Sequence, residues 1–428
     1  MSETTQQRTA SVAWMIVLLL MPVALLNYLD RQMLASMKTS VMESIPSFAL
    51  SENPGERWGF MLGLFKWVYA ACSIIGGYVA DRFSRRLTIC ISLFVWSAVT
   101  LWTGMVHTYV ELLLARSLMG ISEAFYIPAA LALIADHHSS GTRSRAVGLH
   151  QMAIYMGVIT GGFGGYVAES ESLGWRSAFL FCGIIGMAYA FPLVFALRDR
   201  SSSAQSAAKP EYDTRRSDRP GPLAAWSELL LNGSFLLLVL YFTLPAVAGW
   251  VVRDWMPAIL KEKFRIGEGL AGVSASLYWQ LAAMIGVTVG GLTADRWMKT
   301  NNRGRIYVSA FGMALMLVIV GIGSAATLQT AVIILIIFGL GWGLFDGNNM
   351  PILSQIVRPQ LRATGYGIMN FASISCGGLA DWGFGYMRDH HVSLNVIFGI
   401  FAALGIISIV LVLLIRPRDV ENSESAAT

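Results

Sequence analysis

Apolar stretches of about 20 residues recur along the chain, each closed by a short polar or charged segment. They are apolar on every side rather than alternating, and twice the length of about 10 residues that a membrane strand needs. Twelve helices are predicted, over residues 12–37, 58–80, 87–107, 109–136, 146–168 and 175–197, then 229–258, 270–294, 306–326, 329–356, 364–387 and 393–416. The first stretch is too long for a signal-peptide core and no small-residue cleavage site follows it, so it reads as a spanning helix.

Composition sharpens this picture. The chain is 55% hydrophobic and 13% charged, with mean hydropathy +0.57. A soluble domain carries about 25% charge. The expected fold class is therefore all-α integral membrane, with the lipid bilayer as the first partner. The net charge of +5 does not point to nucleic acid, because the basic residues sit in short clusters between apolar stretches. About 20 of the 31 Lys and Arg fall on the side of the chain ends and about 7 on the other, which places both termini in the cytoplasm. Cys72, Cys90, Cys182 and Cys376 lie inside apolar stretches with no metal or disulfide spacing. The pairs His137–His138 and His390–His391 lack further ligands, so no metal is expected.

The long hydrophilic stretch RDRSSSAQSAAKPEYDTRRSDRPGP divides the chain into residues 1–197, a cytoplasmic linker over 198–224, and residues 225–428. The halves echo each other. GGYVADRFSRR begins at Gly76 after the second span, and GGLTADRW begins at Gly290 after the eighth. The fourth span carries EAFYIP from Glu123, and the tenth carries DGNNMP from Asp346. Two six-span repeats in parallel are the mark of a secondary transporter that rocks two helical bundles.

Gly77, Asp81, Arg82, Arg85 and Arg86 resemble the loop motif of the major facilitator superfamily, with Ser84 where a second Gly is usual. That resemblance covers nearly the whole chain. It implies two pseudo-symmetric six-helix domains and alternating access, with Asp81, Arg82, Arg86, Asp295 and Arg296 latching the cytoplasmic side. Charges at these positions also mark where helices leave the membrane.

Ionisable groups inside spans cost about 2.5–3.5 kcal/mol on insertion scales and point to function. The first half holds Asp30, Arg31, Lys66, Arg116 and Glu123. At 1.5 Å rise per residue, Arg31, Lys66 and Arg116 each lie about 10–12 Å below the outer surface. Glu123 lies about 20 Å down. Three cations from three helices at one level suit a carboxylate, which Arg grips with two parallel hydrogen bonds. An anion that neutralises a cation favours protonation of a nearby acid, so substrate and proton bind together. Asp30 and Glu123 are the candidate proton carriers. The alternative is that these charges merely pair to make burial tolerable, or that Lys66 snorkels outward.

NYLDR at Asn27, FKWVYA at Phe65 and RSLMGISEAFYIP at Arg116 resemble the anion:cation symporter branch of the superfamily, which includes hexuronate, aldonate and sialin-like carriers. The resemblance implies that Arg31 binds the substrate carboxylate. It implies that Asp30 and Glu123 exchange protons, with Arg116 as partner to Glu123. Lys66 has no role in that pattern. Spinster-like lipid carriers share a similar first-span motif and an Arg–Glu pair.

Asn348 and Asn349, before Pro351, suit the hydroxyls of a sugar acid. Tyr69, Gln151, Tyr155 and Asn370 complete the substrate-binding candidates. Trp250, Arg253, Asp254 and Trp255 near the outer end of the seventh span read as a gate or an interfacial anchor. No nucleophile or cofactor constellation accompanies them, so no enzyme and no cofactor is expected beyond H⁺ as coupling ion. The resulting expectation is a monomeric, proton-coupled symporter of an organic anion in a bacterial inner membrane. A lysolipid or amphipath carrier and a multidrug exporter are the competing classes.

Overall fold

A computed structural model describes residues 3–138, 140–197, 199, 222–358 and 361–417; most of the expected linker lies outside the described residues. Those residues form twelve long helical passages and no strand. Spans one to six are Glu3–Ser36, Pro54–Arg82, Arg85–Thr103, Tyr109–Glu123 continued by Tyr126–His137, Ser140–Gly162 and Gly174–Ala196. Spans seven to twelve are Gly233–Phe264, Glu268–Trp297, Gly304–Met316 continued by a 3₁₀ turn, Leu328–Ile356, Arg362–Asp389 and Leu394–Leu414. Ten passages are long and apolar enough to cross a membrane. The fifth and eleventh are more polar. Side chains such as Phe195 and Ile91 stand exposed on the outside, as lipid-facing groups do in an all-helical membrane protein.

The chain forms two compact units. The first is Met1–Asp213 together with Val252–Leu277 and Asp381–His390, so it takes in one end each of spans seven, eight and eleven. The second is Thr214–Val251, Tyr278–Ala380 and His391–Thr428. In the first, span three packs on spans four and six, and span one on span five. In the second, span nine packs on spans ten and twelve, which repeats the pairing of span three with four and six. The sequence echo between the halves thus has a counterpart in helix packing.

The fourth span breaks where its motif places proline. Pro128 lacks the N–H that the Ala124 carbonyl needs, and the helix is interrupted between Glu123 and Tyr126. The Ser92 hydroxyl donates to the Ser122 carbonyl at 2.5 Å and satisfies part of the loosened turn. Pro351 lies inside the tenth span, which stays continuous. Gly120 lets the fourth span lie directly on the second, because a Cβ there would come within 2.8 Å of the Phe65 carbonyl. That approach brings Arg116 and Glu123 beside the aromatic residues of span two.

Candidate functional site

Span one contributes Asp30 and Arg31, and span four contributes Arg116 and Glu123. The four charges pair across the two helices. Arg116 donates to Asp30 Oδ2 from two guanidinium nitrogens, at 2.9 and 3.0 Å. Arg31 meets Glu123 Oε2 through Nε at 2.7 Å and through a terminal nitrogen at 2.5 Å. Glu123 is therefore held by Arg31, and Arg116 by Asp30. This corrects the expected partnership of Arg116 with Glu123. Seven residues on one helix are separated by about 10 Å of rise, so the two reach to span one instead of to each other.

The pairs differ in access. The side chains of Arg116 and Asp30 are 4% and 3% exposed and that of Glu123 is 0%, whereas Arg31 retains 14%. Arg31 also sits in an aromatic cage, with its Cζ 5.0 Å from the Tyr28 ring, 4.8 Å from Phe65 and 4.9 Å from Tyr69. Arg116 Cζ also lies 5.8 Å from the Phe65 ring. Aromatic faces stabilise a guanidinium without competing for its N–H groups. Several polar atoms are buried with no hydrogen-bond partner: both amide atoms of Asn27, Asp30 Oδ1 and Glu123 Oε1. The last two are open positions for a proton.

Lys66 departs from the expected grouping. Its ammonium meets Asp254 Oδ2 at 2.5 Å and also Asp381 Oδ2. Phe65 and Tyr69 are four apart and share the face toward Arg31, while Lys66 is turned by about 100°. Depth alone placed it beside the arginines, and helix rotation takes it elsewhere. Asp254, read from sequence as a mouth residue, is buried. Asp381 escaped the sequence reading, although an acid in span eleven carries the same signal as Asp30.

Of the other candidates, Tyr69 is part of the cage around Arg31. Gln151 and Tyr155 are half-buried on span five, where Tyr155 packs against the apolar core. In the second unit Asn348 and Asn349 are buried. Asn348 donates to the Leu344 carbonyl at 2.9 Å, and its Oδ1 and both amide atoms of Asn349 are unpartnered. Asn370 is half-buried on span eleven.

The expected latch residues are placed as follows. Asp81 falls in the second span and its side chain lies outside the described residues; Arg82 and Arg296 are exposed. Arg85 pairs with Asp136. The Arg86 backbone N–H donates to Asp199 at 3.0 Å, and the Ser84 hydroxyl to the same carboxylate at 2.5 Å. Asp295 pairs with Arg305 at 2.6 Å, inside the second unit.

Two contacts at the far end from the chain termini had no expectation. Asp389, closing span eleven, accepts from the Gly55 and Glu56 N–H groups that open span two, at 3.0 and 2.7 Å. Glu169, after span five, accepts from the Glu268 and Gly269 N–H groups that open span eight, the second at 3.1 Å. Each is an acid on the positive end of a helix, and the two are related by the same repeat.

Comparison with known proteins adds to this geometry. Residues 20–381 match the family described as Major Facilitator Superfamily. The chain is 26% identical over 382 residues to a probable L-galactonate transporter of Escherichia coli (strain K12), covering 87% of this chain and 82% of the relative. It is 27% identical over 373 residues to protein spinster homolog 1 of Xenopus tropicalis, covering 82% of this chain and 68% of that protein. The fold resembles a crystal structure of a D-xylose-proton symporter, with TM-score 0.74 and 16% identity, over 94% of this chain and 98% of the other.

Proposed function

We propose, on the premise that the chain belongs to the major facilitator superfamily, that it is a proton-coupled symporter of an organic anion, of the sugar-acid class. Its relatives are membrane transporters, not enzymes. The observation that carries the reading is the Arg31–Glu123 pair. Arg31 is the more accessible cation of the cluster, and it is occupied by an acid. A substrate carboxylate and Glu123 compete for one guanidinium. Protonation of Glu123 at its unpaired Oε1 weakens its hold, and Arg31 then takes the substrate by bidentate hydrogen bonds. Loss of that proton restores the Glu123–Arg31 pair and expels the anion. Asp30 with Arg116 is the second, more deeply enclosed exchange pair. Tyr69, Tyr155 and Gln151 are assigned to the polar end of the substrate.

In the second unit the unpaired amides of Asn348 and Asn349 suit hydroxyl groups, which a sugar acid has and a fatty acid lacks. Lys66 leaves the substrate assignment and Asn370 stays as a further polar contact. The proposed setting is a bacterial inner membrane, with the protein working as a monomer; the basic-residue bias supports an orientation with both termini in the cytoplasm. Asp81, Arg82, Arg86, Asp295 and Arg296 are assigned to control of the cytoplasmic end during rocking of the two repeats.

The competing reading is a lysolipid carrier. It is favoured by the spinster relative and by an apolar groove of about 570 Å³ on spans two to four, lined by Val79, Leu87, Ile91, Val95, Leu118 and Phe125. A thermal-shift screen of the purified protein against aldonates, hexuronates, neutral sugars and lysolipids separates the two, since a specific ligand stabilises by mass action. Stabilisation by sugar acids that Arg31→Gln abolishes supports the proposal. Stabilisation by lysolipids or neutral sugars and by no sugar acid refutes it.

A further inference from the structure

We propose that Lys66, Asp254 and Asp381 form a separate proton-binding site, in which two carboxylates facing one ammonium share a single proton. Span two supplies the base, span seven one acid and span eleven the other. Their side chains are 5%, 11% and 0% exposed. Both Oδ2 atoms contact the same Nζ, so the two carboxylates approach within about 5 Å of each other.

Charge counting carries the argument. With every group ionised, three buried side chains hold two negative charges and one positive. An unbalanced charge in such a place is strongly disfavoured, and two enclosed carboxylates at short range resolve it by sharing a proton. The Arg31–Glu123 and Arg116–Asp30 cluster has no such excess, because it holds two acids and two bases. A second observation agrees. Asp381 Oδ1 is buried and has no hydrogen-bond partner, although an ionised carboxylate wants several donors. A neutral carboxyl costs less than an ionised one to leave with an oxygen short of donors.

The charged groups on the neighbouring elements have contacts of their own. Asp30 and Arg31 on span one belong to their own pairs. Arg253, immediately before Asp254 on span seven, has its Cζ 5.8 Å from the Tyr28 ring. Glu268 on span eight is held by Ser40 and Lys261. Arg388 meets Glu262, and Asp389 caps span two. The backbone is built for the contact as well: Gly59 lies against the Asp381 carbonyl, where a methyl group would collide.

The site ties three helices together while it holds its proton. Its loss leaves a net negative charge that water relieves, so deprotonation favours separation of these helix segments. This inference goes beyond the anion-exchange reading and does not depend on it.

The test is infrared spectroscopy of the purified protein at neutral pH, read at the C=O stretch of protonated carboxyl groups. The expected band component, one acid per chain, is lost in Asp254→Asn and in Asp381→Asn. It survives in Glu123→Gln. Lys66→Gln leaves two acids without a cation, and the band should about double. If an Asn variant does not fold, the Lys66 variant still decides. A band that neither Asn variant diminishes, or one that Lys66→Gln leaves unchanged, overturns the proposal.

Discussion

The cross-pairing of spans one and four can be measured by deleting partners one at a time. Arg116 and Asp30 are 4% and 3% exposed and lie 2.9 Å apart. At an effective dielectric of about 20, that separation gives roughly 6 kcal/mol of attraction, opposed by the cost of dehydrating both groups. Removing one partner alone strands the other charge and costs about 3–5 kcal/mol. Removing both restores neutrality, so the combined loss falls short of the sum. Asp30→Asn, Arg116→Gln and the double variant, unfolded by denaturant in detergent, should give a coupling of roughly 2–3 kcal/mol. The parallel cycle of Arg116→Gln with Glu123→Gln should give a clearly smaller coupling, since those residues make no direct contact. A larger coupling for Arg116 with Glu123 than with Asp30 would refute the pairing and restore the arrangement expected from sequence.

Three further outcomes follow from the packing. Lys38, just beyond the first span, is pushed down from 10.5 to about 8 by burial, against the pull of Glu262 and Asp389. Between those values the unfolded chain binds more protons, so folding stability rises as pH goes from about 8 to 10.5. Lys38→Met should flatten that rise in pH-dependent denaturation curves. Gly59→Ala should cost about 1–3 kcal/mol by forcing spans two and eleven apart, read as a lower denaturation midpoint. Ser92→Ala should cost about 1 kcal/mol by leaving the Ser122 carbonyl short of a donor at the break in span four.

Much of the fold was legible because hydropathy in lipid leaves few options. Every predicted span overlaps a long helix, though the first begins earlier, at Glu3, and the fifth and seventh are offset by several residues; even the fifth and eleventh, which are too polar to qualify by composition, are bounded by basic loops. The helices over Lys38–Ser44 and Pro46–Ala49 were missed, because they are short and their apolar faces follow no long period. At the site, sequence located Asp30, Arg31, Arg116 and Glu123 but misassigned their partners. Depth along a helix is readable from residue number, whereas the reach of a long side chain to a neighbouring helix is not. Lys66 shows the same limit in rotation. Asp381 was readable as an acid in a span, but its partners come from residues 315 and 127 positions away in sequence, which no local pattern reveals.

The central claim is that Glu123 and a substrate anion alternate on Arg31. Proteoliposomes holding wild-type protein or Glu123→Gln, supplied with a radiolabelled aldonate, test it in one comparison. Wild type should accumulate the aldonate against its gradient when an inward proton gradient is imposed. Glu123→Gln should still exchange labelled for unlabelled aldonate at equal pH but lose proton-driven accumulation. Undiminished accumulation by Glu123→Gln would contradict the account.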